Sequence, residues 1–536
     1  MKNRFLIVCI AMLLVFALLT SSCGMRHENN PTPSPTLSPT PIPTPKPGGE
    51  LKFPMPENAN ITNPLTVNTE ELMLMFSMVF ESLIRLDGSN KPVSSLAESW
   101  NIDSETGKTF TIKLRSNVYF HGSSALLKAD DVVYTIDKIK ELGSDSYYAY
   151  NVSLIESASA INDTTLKITM KVPGISSLYL FTFPIIKTDA DLTATPIGTG
   201  AYEVQSATGT QVLLRANPKW WKQAPYITNI AFIPKLNNET AIASYEAGQL
   251  NFVPTSVLSI GRYREDGVTN IADLMTQNVE LMLFNSNNAA LSDIAVRKAL
   301  AYAIDRSSVI SNTYMNRAQT SDVPIAPDSF LYDSKSMIFE HNSEYAAKLL
   351  KEAGYSDTNG DGILEKGAVT LSFNLLVNDT IDSSARKNAA DAYAEQLKKC
   401  GILITVVTAE YSLASVEETK YITMLKNGEF DIALIGVNLP QNFDLSALLS
   451  ETGERNYGKM YDAELYAKAV SITAAVGEAE SRIASSEFSS CFIEKLPFLT
   501  LYFRLNSIIY TAKLQGLFDM REPDITRNVE KWWFLD

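Results

Sequence analysis

A change of rhythm near the middle of the 536-residue chain constrains its fold more than any other feature. Ahead of the midpoint, Lys108 to Arg115 alternates apolar Phe110, Ile112 and Leu114 with polar neighbours, and Thr165 to Val172 does the same. A period of two with one wet face predicts antiparallel, half-exposed sheet. Past the midpoint the pattern becomes helix, glycine stop, strand. Ser343 to Ala353 ends at Gly354, and Ala385 to Cys400 ends at Gly401 before Ile402 to Val407. Phe430 to Val437 is almost wholly apolar, as expected in the middle of a parallel sheet covered on both faces. The second half therefore reads as α/β, and the chain carries two architectures.

The switch falls in Glu280 to Arg306. Leu281 to Phe284 is a short apolar run stopped by Asn285 to Asn288, which predicts a buried strand leaving a sheet into a turn. Ser292 or Asp293 then caps a helix with Ala295, Val296, Ala299, Leu300 and Ala303 on one face, leaving Arg297 and Lys298 outside it. Glu50 to Phe53 reads as the first strand, Thr69 as the cap of a helix that buries Leu72, Met75, Phe76, Val79 and Leu83, and Leu499 to Tyr510 as late strands.

The first 48 residues have a different character. Lys2 and Arg4 precede an apolar run from Phe5 to Leu19, and Thr20-Ser21-Ser22-Cys23 follows, the charged, apolar and small order of a secretory signal. The small residues before Cys23 resemble a lipobox, with Thr20 where leucine is usual. Such a cysteine is diacylated and becomes the mature N-terminus, which implies a lipid anchor on the extracytoplasmic face of the cell membrane. Pro31 to Pro47 then holds eight prolines, which favour extended polyproline II and predict a semi-rigid stalk of roughly 50 Å.

Composition removes whole classes of function. A net charge of −14 repels phosphate backbones and leaves no electrostatic footprint for nucleic acid. Downstream of the leader, only Cys400 and Cys491 remain, and free buried thiols are expected there rather than a bridge. Three histidines without paired ligand spacing argue against metal or triad chemistry, and no cofactor motif stands out. Gly198 and Gly200 suit a tight turn better than a phosphate loop. Asp357, Asn359 and Asp361 mimic half an EF-hand, but its twelfth position is Ala368, so a helix-to-strand turn is preferred.

Several ordered blocks resemble family 5 extracellular solute-binding proteins, the oligopeptide- and dipeptide-binding receptors of ABC importers. The first block is Phe80 to Ile139, with Glu81, Pro92, Leu96-Ala97, Trp100, Thr111 to Arg115, Phe120-His121 and Ala129 to Ile136 in the family's order. Gly122 stands where the family usually has an aspartate. Pro196 to Trp221 matches the G-T-G-x-Y and R-x-N-P-x-W runs, and Phe284-Asn285, Ser292-Asp293, Val296-Arg297 and Ile304-Asp305-Arg306 match the family's midpoint.

The resemblance implies a two-lobed α/β fold like the periplasmic binding proteins (type II, large three-region variant), with hinge strands and a ligand cleft. Its divisions would be a signal at 1–23, a stalk at 24–48, a first lobe at 49–282 with a subdomain at about 81–184, completed by 506–536, and a second lobe at 283–505. The hinge strands would lie near Glu280 to Ser286 and Leu499 to Leu505, with Trp532 and Trp533 packed on the first lobe. It further implies a monomeric, non-enzymatic lipoprotein that captures a short peptide and delivers it to ABC permease and ATPase subunits. Candidate ligand residues are Asn63, Asn285, Gly436, Asn438, Asn442, Asp444 and Arg504. In the family's peptide receptors an aspartate after the strand matching Phe430 to Val437 pairs with the ligand's ammonium group. Here Pro440 stands at that place and Val437 replaces the usual tryptophan. Asp444 is the only acid nearby and either takes the amine in a re-registered loop or caps Leu445 to Leu449. An oligosaccharide or metal chelate as solute, or an extracellular hydrolase on a stalk, stay open as alternatives.

Overall fold

A computed structural model describes residues 44–379, 384–412, 415–416 and 419–536. The leader, Cys23 and the stalk up to position 43 lie outside the described residues. From Glu50 onward the chain builds two large hydrophobic cores. One draws on Leu51 to Leu274 and again on Ile508 to Trp532. The other draws on Met275 to Phe503, joined by Tyr179.

The first core is covered by two small sheets. Glu50–Pro56 lies parallel to Asn229–Lys235, which pairs antiparallel with Val212–Ala216 and through it with Tyr202–Ala207. The predicted alternating stretches form the antiparallel sheet Ala97–Ile102, Thr109–Leu114, Thr165–Met170 and Ile155–Asn162. The helix Glu70–Val79 starts where Thr69 Oγ1 accepts from Leu72 N, and its apolar stripe enters this core. The blocks that resembled the family serve here as scaffold. Glu81 is buried and takes the Trp221 indole N–H at 3.0 Å and the Thr199 hydroxyl at 3.1 Å. His121 Nδ1 accepts from Gly198 N, which leaves Nε2–H to donate to Gly200 O at 2.9 Å. Gly198 and Gly200 are required for close approach: a Cβ would sit 2.0 Å from Val79 O at one and 2.2 Å from Met78 O at the other.

A mixed sheet of seven strands connects the cores, in the order Phe252–Thr255, Phe498–Thr511, Thr269–Phe284, Ile432–Asn438, Ser372–Asp379 and Leu403–Glu410, with Ala318–Thr320 beside the second of these. Two of its strands are far longer than their apolar runs. Thr269–Phe284 has 16 residues and Phe498–Thr511 has 14, and they pair antiparallel from one core to the other. Sequence patterning found nearly all of the second as Leu499 to Tyr510 but only the Leu281 to Phe284 end of the first, whose earlier part carries no period-two signal. Ile432–Asn438 also departs from expectation: it is parallel to Ser372–Asp379 but antiparallel to Thr269–Phe284, so it sits at the seam of a mixed sheet. Its apolar run reflects burial on both faces and carries no information on direction.

Asp293 caps the helix Ile294–Ala303 by accepting from Ala295 N, while Asn288 caps the turn before it. Arg297, expected outside, is 8% exposed. Its guanidinium donates to four carbonyl oxygens, those of Leu291, Ser292, Lys495 and Leu496. A side chain with five donors can be buried where two helix ends present unpaired carbonyls, and this one ties the helix to the end of Glu478–Lys495. At the C-terminus Trp532 is fully buried and stacks on Phe252 with centroids 5.3 Å apart.

The Asp357 to Asp361 turn spends its carboxylates on its own backbone, Asp357 accepting from Gly360 N and Gly362 N and Asp361 from Ile363 N. Cys400 and Cys491 are both buried and free. No helix among the described residues is long and apolar enough to cross a membrane.

Candidate functional site

Strand pairing places the candidate residues. Glu280 lies opposite both Gly436 and Tyr502, and Asn278 lies opposite Asn438. Alternate residues share a face. Gly436 and Asn438, Asn278 and Glu280, and Tyr502, Arg504 and Asn506 therefore look out from one side of the sheet. Along that face Tyr502 belongs to the second core and Ile508 to the first, so Arg504 and Asn506 occupy the floor between them. Strands about 4.8 Å apart put Asn438 and Arg504 roughly 10 Å from each other across Asn278.

The floor is irregular where it changes core. The pairing slips between Met275 and Val279, a β-bulge. Thr276 Oγ1 donates to Arg504 O at 2.8 Å and accepts from Asn278 N, and Gln277 O accepts from Leu439 N. The half-buried Arg504 guanidinium rests over the Tyr314 ring, 5.9 Å from its centroid. Among the described residues no carboxylate pairs with it. An uncommitted cation on a cleft floor suits a ligand carboxylate.

Beside it lies a buried ion pair. Arg386 Nε donates to Glu280 Oε2 at 2.7 Å and its Nη2 to Oε1 at 3.0 Å, a bidentate fork, while Nη1 bonds Asn378 Oδ1. Burial works against the charged guanidinium, but the Glu280 carboxylate outweighs it and holds Arg386 above its ordinary value. Gly436 makes the room: a Cβ there would sit 2.3 Å from Arg386 Nη2.

A cavity of about 450 Å³ opens at the Asn438 edge, lined among others by Tyr150, Asn438, Pro440, Asp444, Ser446 and Arg455. Phe443, next to Asp444 in the chain, has a φ of 63°, unusual for a bulky residue. Edge contacts with Tyr179 at 5.8 Å and Phe330 at 6.1 Å hold it there. Asn442 Oδ1 accepts from Asp444 N at 3.2 Å, and one Asp444 oxygen accepts from Ser446 N at 2.9 Å. Asp444 thus supports the start of the short helix Ser446–Leu449 and lines the cavity as well.

The other candidates lie elsewhere. Asn63 Oδ1 accepts from Leu65 N and caps a single turn. Asn285 is buried, donating to Gly428 O and Phe430 O and accepting from Asn287 N. Asn438 and Asp444 line one cavity, with Asn442 bonded to Asp444 beside it, while Arg504 lies two strands away on the same sheet and Gly436 sits beneath Arg386. Sequence reasoning missed Tyr150, Asn278, Asn506 and the Glu280–Arg386 pair. Each depends on strand register or on contacts across more than 100 residues, which leave no local signal.

Comparison with known proteins decides the family. The profile described as "Bacterial extracellular solute-binding proteins, family 5 Middle" matches residues 91–456. The chain is a family 5 solute-binding protein of ABC importers. As such it is a binding protein and not an enzyme. Over 563 aligned residues it is 26% identical to the oligopeptide-binding protein AppA of Bacillus subtilis (strain 168), covering 99% of each chain. It is also 26% identical to the dipeptide-binding protein of Escherichia coli (strain K12), covering 69% of this chain and 73% of that one. Among solved structures, that of a nickel ABC transporter protein from Bacillus halodurans superposes with a TM-score of 0.77 at 22% identity, over 90% of this chain and 98% of that one. The family 5 fold is that of a two-lobed, type II periplasmic binding protein, and the mixed sheet joining two cores is its crossing region.

Proposed function

We propose that this family 5 receptor captures a short peptide in the cleft between its lobes and delivers it to an ABC permease. The observation that carries the reading is the Arg504 guanidinium, without a carboxylate partner among the described residues and roughly 10 Å across the floor from Asn438, whose cavity Asp444 also lines. Two or three extended residues span about 7–11 Å. A zwitterion of that length sets its carboxylate on Arg504 and its ammonium group at Asp444, with Asn278 and Asn438 free for main-chain groups between. Relatives described as oligopeptide- and dipeptide-binding proteins support the peptide class.

The proposed lobes are 49–282 with 506–536, including a subdomain near 81–184, and 283–505. The change of core between Phe503 and Ile508 supports the second limit, while the change at Leu274/Met275 puts Met275 to Met282 with the second core. Closure is a population shift: a solute touching both lobes stabilises the closed form by its differential contacts, and the permease reads closure. In this reading the protein is monomeric, carries diacyl groups on Cys23 and stands off the membrane on its proline-rich stalk.

The test is a thermal-shift screen of the purified chain with free-amine di- to pentapeptides, their N-acetylated forms, oligosaccharides and metal chelates. A ligand at 100 times its dissociation constant stabilises by about 2.7 kcal/mol. Free-amine peptides should give that shift, and Arg504→Ala should abolish it. Stabilisation by oligosaccharides or chelates with no response to any peptide would overturn the assignment.

A further inference from the structure

We propose that the two lobes carry a latch of their own beside the cleft, formed where residues 87–91, 174–177 and Arg521 of the first lobe meet residues 328–330, Gln441 and 473–478 of the second, and that it favours closure independently of solute. The lobes are joined covalently through the crossing strands, and the contacts below lie away from those strands, so opening about the strands would break them.

The contacts are direct and numerous. Phe330 N donates to Ser89 O at 2.8 Å, Asn90 Nδ2 to Gln441 O at 3.1 Å, Ile175 N to Ala475 O at 2.7 Å and Ser176 Oγ to Thr473 O at 2.6 Å. Two ion pairs cross the same junction, Lys91 with Glu478 at 2.6 Å and Arg521 with Asp328. The Tyr179 hydroxyl, donating to Asn90 O at 2.6 Å, anchors the 87–91 loop while its ring meets Phe443. The fit at the far end requires glycine. Gly174 has a φ of +110°, and a Cβ there would lie 1.9 Å from Thr473 O and 2.8 Å from Ala474 Cα. Such an approach of two backbones occurs only if the lobes close to a single defined separation.

The latch is also shallow. Arg521 is 4% exposed, but its Nε and Nη2, with Asp328 Oδ1 and Asn90 Oδ1, have no protein partner among the described residues. Buried polar groups without partners oppose closure, since opening returns them to water. The junction therefore combines a set of well-made bonds with a set of incompletely paired groups. That balance keeps open and closed forms in exchange, so solute selects a conformation already populated. The inference uses the two-lobed fold and does not depend on what the solute is.

The test is made on the solute-free full chain. Ser89 and Phe330 are one backbone hydrogen bond apart, within the Cα spacing that a disulfide spans. Ser89→Cys with Phe330→Cys should cross-link readily under mild oxidation, with Cys400 and Cys491 buried and silent. Adding Gly174→Ala, at the other end of the junction, should slow the cross-link at least tenfold while the circular dichroism spectrum stays native. Ser176→Val removes the hydroxyl bond to Thr473 O without a strained φ and should slow it in the same direction, and it decides the matter if Gly174→Ala does not fold. Absence of the cross-link, or rates unchanged in both variants with a native spectrum, would overturn the proposal.

Discussion

Arg386→Met isolates what the buried ion pair beneath the cleft floor contributes. Glu280 is 3% exposed and both its oxygens are held by Arg386, so the substitution leaves a buried carboxylate without a counter-charge. Removing one partner of such a pair typically costs about 3–5 kcal/mol, more than the pair itself is worth, because the surviving charge has lost its compensation. Asn378 offers the carboxylate little relief, since its amide is placed to meet the lost guanidinium. Glu280→Gln combined with Arg386→Met removes both charges at similar volume and should recover most of the loss. Gly436→Ala, which pushes a methyl group into Arg386, should destabilise in the same direction by less, because the arginine can partly withdraw. Urea unfolding followed by circular dichroism, on the parent, both singles and the double, measures these terms. A loss below about 1 kcal/mol in Arg386→Met, or a double variant no more stable than that single, would refute the reasoning.

Two further outcomes follow from single residues. Glu522, to which Asn506 donates, has its carboxyl pushed up to about 7 by burial and by the charge of Glu70. A carboxyl raised above its ordinary 4.5 favours the folded chain while protonated in both states, so stability is full below about pH 4.5 and falls as pH rises to 7, by at most about 3 kcal/mol. Glu522→Gln should therefore raise the melting temperature at pH 7.5 and leave it unchanged at pH 4.5, and an equal effect at both would count against burial as the cause. Cys23→Ser should move the protein from the membrane to the soluble or culture fraction, and membrane association surviving unaltered would remove the lipid anchor.

The sequence by itself determined the elements and the family. Period-two stretches became one small antiparallel sheet, helix-glycine-strand units became part of the core that runs from Met275 to Phe503, and Thr69 and Asp293 capped the helices they were expected to cap. These are local properties: a side chain reports its own burial through spacing, and a cap bonds a backbone group two or three residues away. Ordered motifs carried the family for the same reason, since Glu81, His121 and the glycines at 198 and 200 meet fixed scaffold needs. Only the tertiary structure decided what each polar residue is for. Asn285 and Asn438 are indistinguishable as letters, but one is consumed by two carbonyls in the interior while the other faces a cavity. Arg297 and Arg504 both occur in otherwise apolar segments. The first is buried against four carbonyls, and the second meets an aromatic ring and, among the described residues, no counter-charge. The difference lies in strand register and in contacts across more than 100 residues, and a linear sequence fixes neither until the chain has closed on itself.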